Sequence, residues 1–160
     1  MKHTRWVLAF SVLLMVALDQ AVKQWARVYL LPVGRIPLIE GWLGLRWATN
    51  TGAAFGILQG GRWFFIAVTI VVIGAVLVYE FKFPYTSMYM WVRIPLALIL
   101  AGGIGNFIDR MLFGYVVDMF EFLFINFPIF NVADIFLVLG TLGYMFAVLF
   151  ILKEEHVSSE

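Results

Sequence analysis

The chain contains no cysteine. That excludes disulfides, thiolate metal sites and a cysteine nucleophile. Its two histidines, His3 and His156, lie near opposite ends, so the sequence argues against a histidine metal centre or a Ser–His hydrolase. Serine occurs only at Ser11, Ser87, Ser158 and Ser159, away from the acidic stretch described below. Charge is scarce. Only 13% of residues are charged, against about 25% in soluble domains, and a net charge of +1 offers no basic surface for nucleic acid. If the chain is an enzyme, its acid–base groups are carboxylates, and neither a metal nor a cofactor is expected.

What is present is apolar. Hydrophobic residues make up 63% of the 160 positions, and the mean hydropathy is +0.95. This reads as an all-α polytopic membrane protein, one membrane-embedded domain over residues 1–160, with four transmembrane helices. The spans are expected at about 6–25, 63–80, 93–112 and 130–152, each near the ~20 apolar residues a crossing requires. A basic start before an apolar run could also be a cleavable signal peptide. The run instead continues through Asp19 to Trp25 without a convincing cleavage site. Residues 30–60 are broken by Pro32, Gly34, Pro37, Gly41 and Gly44, and suggest a small extracytoplasmic β element with tryptophans at the lipid interface. Residues 114–127 are rich in aromatics and bounded by Gly114 and Pro128. They suggest an interfacial helix lying along the membrane. Ala101, Gly102, Gly103 and Gly105 give the third span a small-residue surface for another helix. Four spans place both termini on one side, and the basic first segment puts that side in the cytoplasm.

The acidic residues carry the functional signal. Asp109, Asp118 and Asp134 all sit among apolar and aromatic neighbours, where an ionised carboxylate needs a partner or a pKa shift. Counting depth along the spans at 1.5 Å per residue, Asp19 lies about 20 Å beyond Trp6 and Asp109 about 24 Å beyond Arg93. Asp134 falls in the first turn of the returning fourth span, and Asp118 in the connection before it. All four aspartates therefore converge on the outer leaflet. Asp19 and Lys23 share a helix face at i, i+4 and form a structural ion pair.

Asp118 and Asp134 are the natural catalytic pair. Two close carboxylates share a proton; the ionised one can activate water and the protonated one can polarise a peptide carbonyl and later protonate the leaving amine. Two plainer readings stand beside this. Asn131 could cap the fourth span with Asp134 at N3, and Asp118 could be a solvated interfacial residue. Two further function classes are also open. A transporter or proton relay predicts carboxylates spread across the bilayer depth. A structural assembly subunit predicts aspartates replaceable by asparagine.

Four blocks bear a specific resemblance. They are Asp19-Gln20 with Lys23; Asn50-x-Gly52-Ala53-Ala54-Phe55-Gly56; Gly105-Asn106-x-x-Asp109-Arg110 with Gly114-x-Val116-Val117-Asp118; and Phe130-Asn131-x-Ala133-Asp134. In this order, on four spans, the chain resembles the bacterial lipoprotein signal peptidases, also called signal peptidase II. Thr49 stands where family members often carry arginine. The resemblance implies an aspartic endopeptidase of the cytoplasmic membrane, with its active site on the extracytoplasmic side. It implies cleavage of prolipoproteins just before a cysteine that carries diacylglycerol, with Asp118 and Asp134 as the dyad. Asp109 is assigned to support, pairing with Arg110 or a neighbour. Asn50, Gly52, Asn106, Arg110 and Asn131 are assigned to substrate binding or to orienting the carboxylates. The expected partners are the lipid-modified prolipoprotein and membrane lipid, with no nucleic acid, and the protein is expected to be a monomer.

Overall fold

The computed structural model describes residues 2–52, 57–82 and 85–151. Ala53 to Gly56, part of the second sequence block, lie outside the described residues. Helix α1 covers Lys2–Trp25, followed by a π-helical turn, Ala26–Leu30, and a short α2, Leu31–Val33. Strands β1 (Arg35–Ile39) and β2 (Leu43–Asn50) come next, then helices α3 (Arg62–Lys82) and α4 (Ser87–Phe113). Strand β3 (Val116–Phe122) leads to α5 (Val132–Phe146), which runs into a final π-helical turn, Ala147–Ile151.

Four helical stretches are long and apolar enough to cross a membrane: His3–Val33, Arg62–Lys82, Met88–Phe113 and Val132–Ile151. Their outer faces expose Phe10, Leu14, Val71, Leu77, Leu142 and Phe146, a surface suited to lipid and not to water. The first stretch is 31 residues long, about ten more than a crossing needs. Its extra turns run past Trp25 through the π-helical turn into α2, with Pro32 in the last turn before the helix stops. Gly34, at φ +80°, then ends the helix and starts β1.

Helix α4 is the hub, touching α1, α3 and α5. Its small residues make this possible. A Cβ on Gly102 would strike the carbonyl oxygen of Ala133 and stand 2.8 Å from Leu137 Cγ. One on Gly140 of α5 would stand 2.8 Å from Pro95 O and Ile99 N. Gly102→Ala is therefore expected to destabilise the fold by about 1–3 kcal/mol, because backbone cannot give way as a side chain can. Gly74→Ala is the control: nothing lies within 4 Å of that site, and its melting temperature in detergent should match the parent or exceed it. Equal melting of Gly102→Ala and Gly74→Ala would remove the close α4–α5 approach as a source of stability. At the far end of the bundle, Arg93 is buried and pairs through Nε with Glu80 Oε1 at 3.3 Å. Tyr85 also donates to Glu80, joining α3 to the start of α4.

The β element is a three-stranded antiparallel sheet in the order β1-β2-β3. Two of its strands lie where residues 30–60 suggested them. The third corrects the expected interfacial helix at 114–127. Gly114 adopts φ +82° as the C-cap of α4, and Val116–Phe122 then pairs with β2, with Ala48 opposite Asp118 and Asn50 opposite Val116. The physical reason is alternation. Val117 and Met119 point into a core with Ala26, Leu30 and Leu45, while Val116, Asp118 and Phe122 line a cavity on the other face. Beyond β3 the chain folds back, and Phe130 exchanges hydrogen bonds with Phe120 (2.8 and 3.1 Å). That bridge sets the start of α5 beside Asp118.

Candidate active site

Asp134 is held by the N-terminus of its own helix. Asn131 is the N-cap: its side-chain oxygen accepts from Asp134 N at 2.9 Å, and Asp134 Oδ2 accepts from Asn131 N at 3.1 Å. This is a reciprocal capping box. The capping reading and the catalytic reading of Asp134 are thus compatible, because the box uses Oδ2 and leaves Oδ1 to other partners. Asp118 is not a solvated surface group. It is 2% exposed and lies within β3.

Three asparagines aim N–H groups at these two carboxylates. Asn106 Nδ2 donates to Asp134 Oδ1 at 2.8 Å. Asn131 Nδ2 donates to Asp118 Oδ1 at 2.6 Å, and Asn50 Nδ2 to Asp118 Oδ2 at 3.1 Å. Each amide is oriented by a group that can only donate to its oxygen. Gly52 N holds Asn50 at 2.9 Å, Asp134 N holds Asn131, and Lys23 Nζ holds Asn106 at 2.9 Å, joined by Asn131 Nδ2 at 3.2 Å. All four carboxylate oxygens therefore have a donor. A buried acidic pair is tolerable under these conditions.

Burial is the main force on Asp118, and the charge of Asp134 adds to it; hydrogen bonds from Asn131 and Asn50 and the charge of Lys23 oppose them. The net result pushes its pKa from 3.8 up to about 7. A carboxyl raised in this way binds its proton more tightly when folded. Its stabilising contribution is complete below about pH 4 and is lost as pH rises to about 7, at roughly 1.4 kcal/mol per pH unit. The melting temperature in detergent is expected to fall between pH 4.5 and 7 in the parent, and to fall less steeply in Asp118→Asn. Parallel slopes in the two proteins would contradict the shift.

The other two aspartates form a second layer. Asp19 Oδ2 pairs with Lys23 Nζ at 2.9 Å, and both are fully buried. Asp19 Oδ1 accepts from Ala133 N at 2.9 Å, tying α1 to α5. Asp109 pairs with Arg27 at 3.0 Å and with Lys23 at 3.6 Å, and accepts from Val117 N at 3.0 Å. Its partner is Arg27 and not the adjacent Arg110, since neighbours in sequence leave a helix in different directions. Arg110 stacks over Phe65 (4.6 Å) and donates to Gly52 O at 3.1 Å. Gly52 must be glycine: a Cβ there would lie 2.5 Å from Ile57 O.

Sequence reasoning gave no role to Arg27 or to the Gln20 side chain. Gln20 Nε2 donates to Asp19 Oδ2 at 3.1 Å and to Gly105 O at 3.0 Å. The signal for Arg27 was available, since Asp19, Lys23 and Arg27 recur every four residues on one helix face. Among the described residues, no group of three or more His, Cys, Asp or Glu side chains is arranged to hold a metal ion.

The two carboxylates open on a cavity of about 630 Å³. Its polar end carries Asn50, Asn106, Arg110, Asp118 and Asp134, and apolar residues of α3, α4 and α5 such as Val68, Val72, Leu100 and Val138 line the rest. A peptide at the polar end could leave an attached hydrocarbon chain in the apolar part.

The same arrangement of chain occurs in two solved structures, each described as a bacterial membrane enzyme studied by the in meso method. One, at 2.3 Å resolution, superposes with a TM-score of 0.81 and 32% identity, covering 89% of this chain and 87% of that one. The other, at 1.9 Å, gives 0.78 and 31%, covering 90% and 93%. A lipoprotein signal peptidase of Streptococcus pyogenes serotype M6 is 44% identical over 156 residues, or 97% of each chain. The sequence profile of the Signal peptidase (SPase) II family matches residues 11–150. With the four blocks and the paired carboxylates all falling inside that match, the chain belongs to the signal peptidase II family of membrane proteases.

Proposed function

We propose that this protein is an aspartic endopeptidase that removes the signal peptide from diacylglyceryl-modified prolipoproteins, cutting before the lipid-modified cysteine. The observation that carries the reading is the pair Asp118 and Asp134 at the polar end of an otherwise apolar cavity, with an N–H on every carboxylate oxygen. The enzyme works as a single domain over residues 1–160 and as a monomer in the bacterial cytoplasmic membrane. Its termini are cytoplasmic, and the sheet and dyad are extracytoplasmic. Two nearly apolar acyl chains suit the lower cavity, while Asn50, Arg110 and the dyad meet the peptide.

The two acids divide the chemistry by position. Asp134, at a helix N-terminus, is favoured as the ionised base. Asp118, buried on a strand, is favoured as the proton carrier. Asp134 takes a proton from water as the water oxygen bonds to the scissile carbonyl carbon, and Asp118 gives its proton to the carbonyl oxygen. In collapse, Asp134 returns its proton to the amide nitrogen as the C–N bond breaks, and Asp118 recovers a proton from the diol. Both groups end as they began, and no metal is required. Because a coupled pair titrates as a unit, the apparent values belong to the dyad.

Loss of the Asp118 proton should therefore set the alkaline limb, with kcat/KM falling as pH rises through about 7. The direct test is purified protein in detergent with a prolipoprotein prepared with and without diacylglycerol on its cysteine. Release of the signal peptide from the modified form alone is the expected result. Cleavage of both forms at equal rates would remove the lipid from recognition, and cleavage of neither would overturn the reading.

A further inference from the structure

Lys23 is buried, charged and absent from the cavity lining, yet it touches the machinery. Its Nζ lies 2.9 Å from Asp19 Oδ2, 3.6 Å from Asp109 Oδ2 and 2.9 Å from Asn106 Oδ1. The third contact matters for catalysis. An asparagine side chain can present either its oxygen or its NH₂ with almost the same shape, and only its neighbours decide which. Asn106 lies between an ammonium and a carboxylate. As found, its oxygen meets Lys23 and its NH₂ meets Asp134. The flipped amide would set NH₂ against the ammonium and oxygen against the carboxylate, two repulsive contacts in a dry interior.

We propose that Lys23 is a positioning residue of the dyad, fixing the Asn106 amide so that its NH₂ is always delivered to Asp134. The inference rests on the reading of Asp118 and Asp134 as the dyad. A plain ion-pair role with Asp19 accounts for the charge of Lys23 but not for the Asn106 contact. Asn131 Nδ2 also donates to Asn106 Oδ1, at 3.2 Å, but it is neutral and is shared with Asp118. The donors that orient Asn50 and Asn131, Gly52 N and Asp134 N, are backbone groups that no substitution removes cleanly. Lys23 is the one orienting side chain that acts with a full charge. The charged groups that act on it are Asp19 from the first span, Asp109 from α4, Asp118 from β3 and Asp134 from α5. Arg27 shares Asp109 with it, and Arg110 shares Asp109, Asp118 and Asp134. Its charge also favours the ionised form of Asp118.

The test removes the ion pair as a whole. Asp19→Asn/Lys23→Met leaves no stranded charge, and the asparagine oxygen can still accept from Ala133 N. With kcat counted per folded molecule in detergent, the double variant is expected to lose about 10²-fold in kcat, the size of a misplaced catalytic group, with KM little changed. Wild-type kcat in the double variant would overturn the proposal, since Lys23 would then serve only Asp19. Single variants keep the question decidable if the double variant does not fold. Arginine is also an obligate donor, so Lys23→Arg should exceed Lys23→Met in kcat, and equal values in the two overturn the proposal. In Lys23→Met the alkaline limb of the pH profile should also move to higher pH, because a positive charge that favours ionised Asp118 is gone. An unmoved limb counts against the proposal. Asp118→Asn separates the two failures: if it cleaves normally, the dyad reading fails, and if it is inactive while the double variant is normal, only the role of Lys23 fails.

Discussion

Asp118→Asn and Asp134→Asn are each expected to reduce signal-peptide release by about 10²–10⁴-fold, the range for loss of a general acid or base. Asparagine keeps the shape of aspartate but cannot ionise or carry the proton. Both variants should still fold and insert. In Asp134→Asn the new amide oxygen can accept from Asn131 N as the present carboxylate does, so the helix cap survives. Position 118 lies within a paired strand, where burial already favours the uncharged form. The substitutions do not leave the site relaxed, however. Asn106 and Asn131 each donate to one of these carboxylates, and an amide offers one oxygen where the carboxylate offers two. The double variant should be no worse than the poorer single, because the two groups act as a unit. Initial rates on the lipid-modified substrate, normalised to folded protein, give the answer. Near-normal turnover by either single variant would take that residue out of the dyad.

Much of this site was legible because depth is written into a membrane sequence. The count along each span brought Asp19, Asp109 and Asp134 to one level, and the structure has their side chains within two hydrogen-bonded layers. Spans limited by charge and glycine were readable for the same reason. The first span was not, since Ala26–Leu30 and Leu31–Val33 continue as helix past Trp25. Arg27 shares a helix face with Asp19 and Lys23, but the charge that matches it, Asp109 at 3.0 Å, lies on α4, far along the chain.

Strand β3 was misread for a related reason. Val116–Phe122 has many aromatics and few charges, which matches an interfacial helix in composition. Its period-two alternation was the competing signal, with Val117 and Met119 on one face and Val116 and Asp118 on the other. That signal is short, and the strand it pairs with lies far back in the chain at Leu43–Asn50. The error had a consequence for chemistry. A helix on the membrane surface leaves Asp118 half-solvated, whereas a strand in a sheet buries it and raises its pKa. Asn50 as a direct donor to Asp118 follows from the same pairing.

Asp19→Ala is expected to act on stability far more than on chemistry. Its carboxylate joins three elements: Oδ1 accepts from Ala133 N in the first turn of α5, and Oδ2 meets Lys23 and Gln20 of α1. The third element is α4, whose Gly105 allows the contact, since a Cβ there would lie 2.5 Å from Asp19 Oδ2. Removing the carboxylate leaves a helix N–H without its acceptor. It also leaves the buried Lys23 with Asp109, at 3.6 Å, as its remaining ion-pair partner. Breaking a buried pair in this way costs about 3–5 kcal/mol. The dyad itself is held by the Asn131 capping box and by Asn50 and Asn106, none of which bonds to Asp19. The melting temperature should therefore fall steeply, while kcat per folded molecule stays within about tenfold of the parent, one order of magnitude being about 1.4 kcal/mol. Gly105→Ala should show the same signature in weaker form, because its methyl group pushes Asp19 away without removing it. A variant of Asp19 that melts like the parent and yet is inactive would move this residue out of the scaffold and into the reaction.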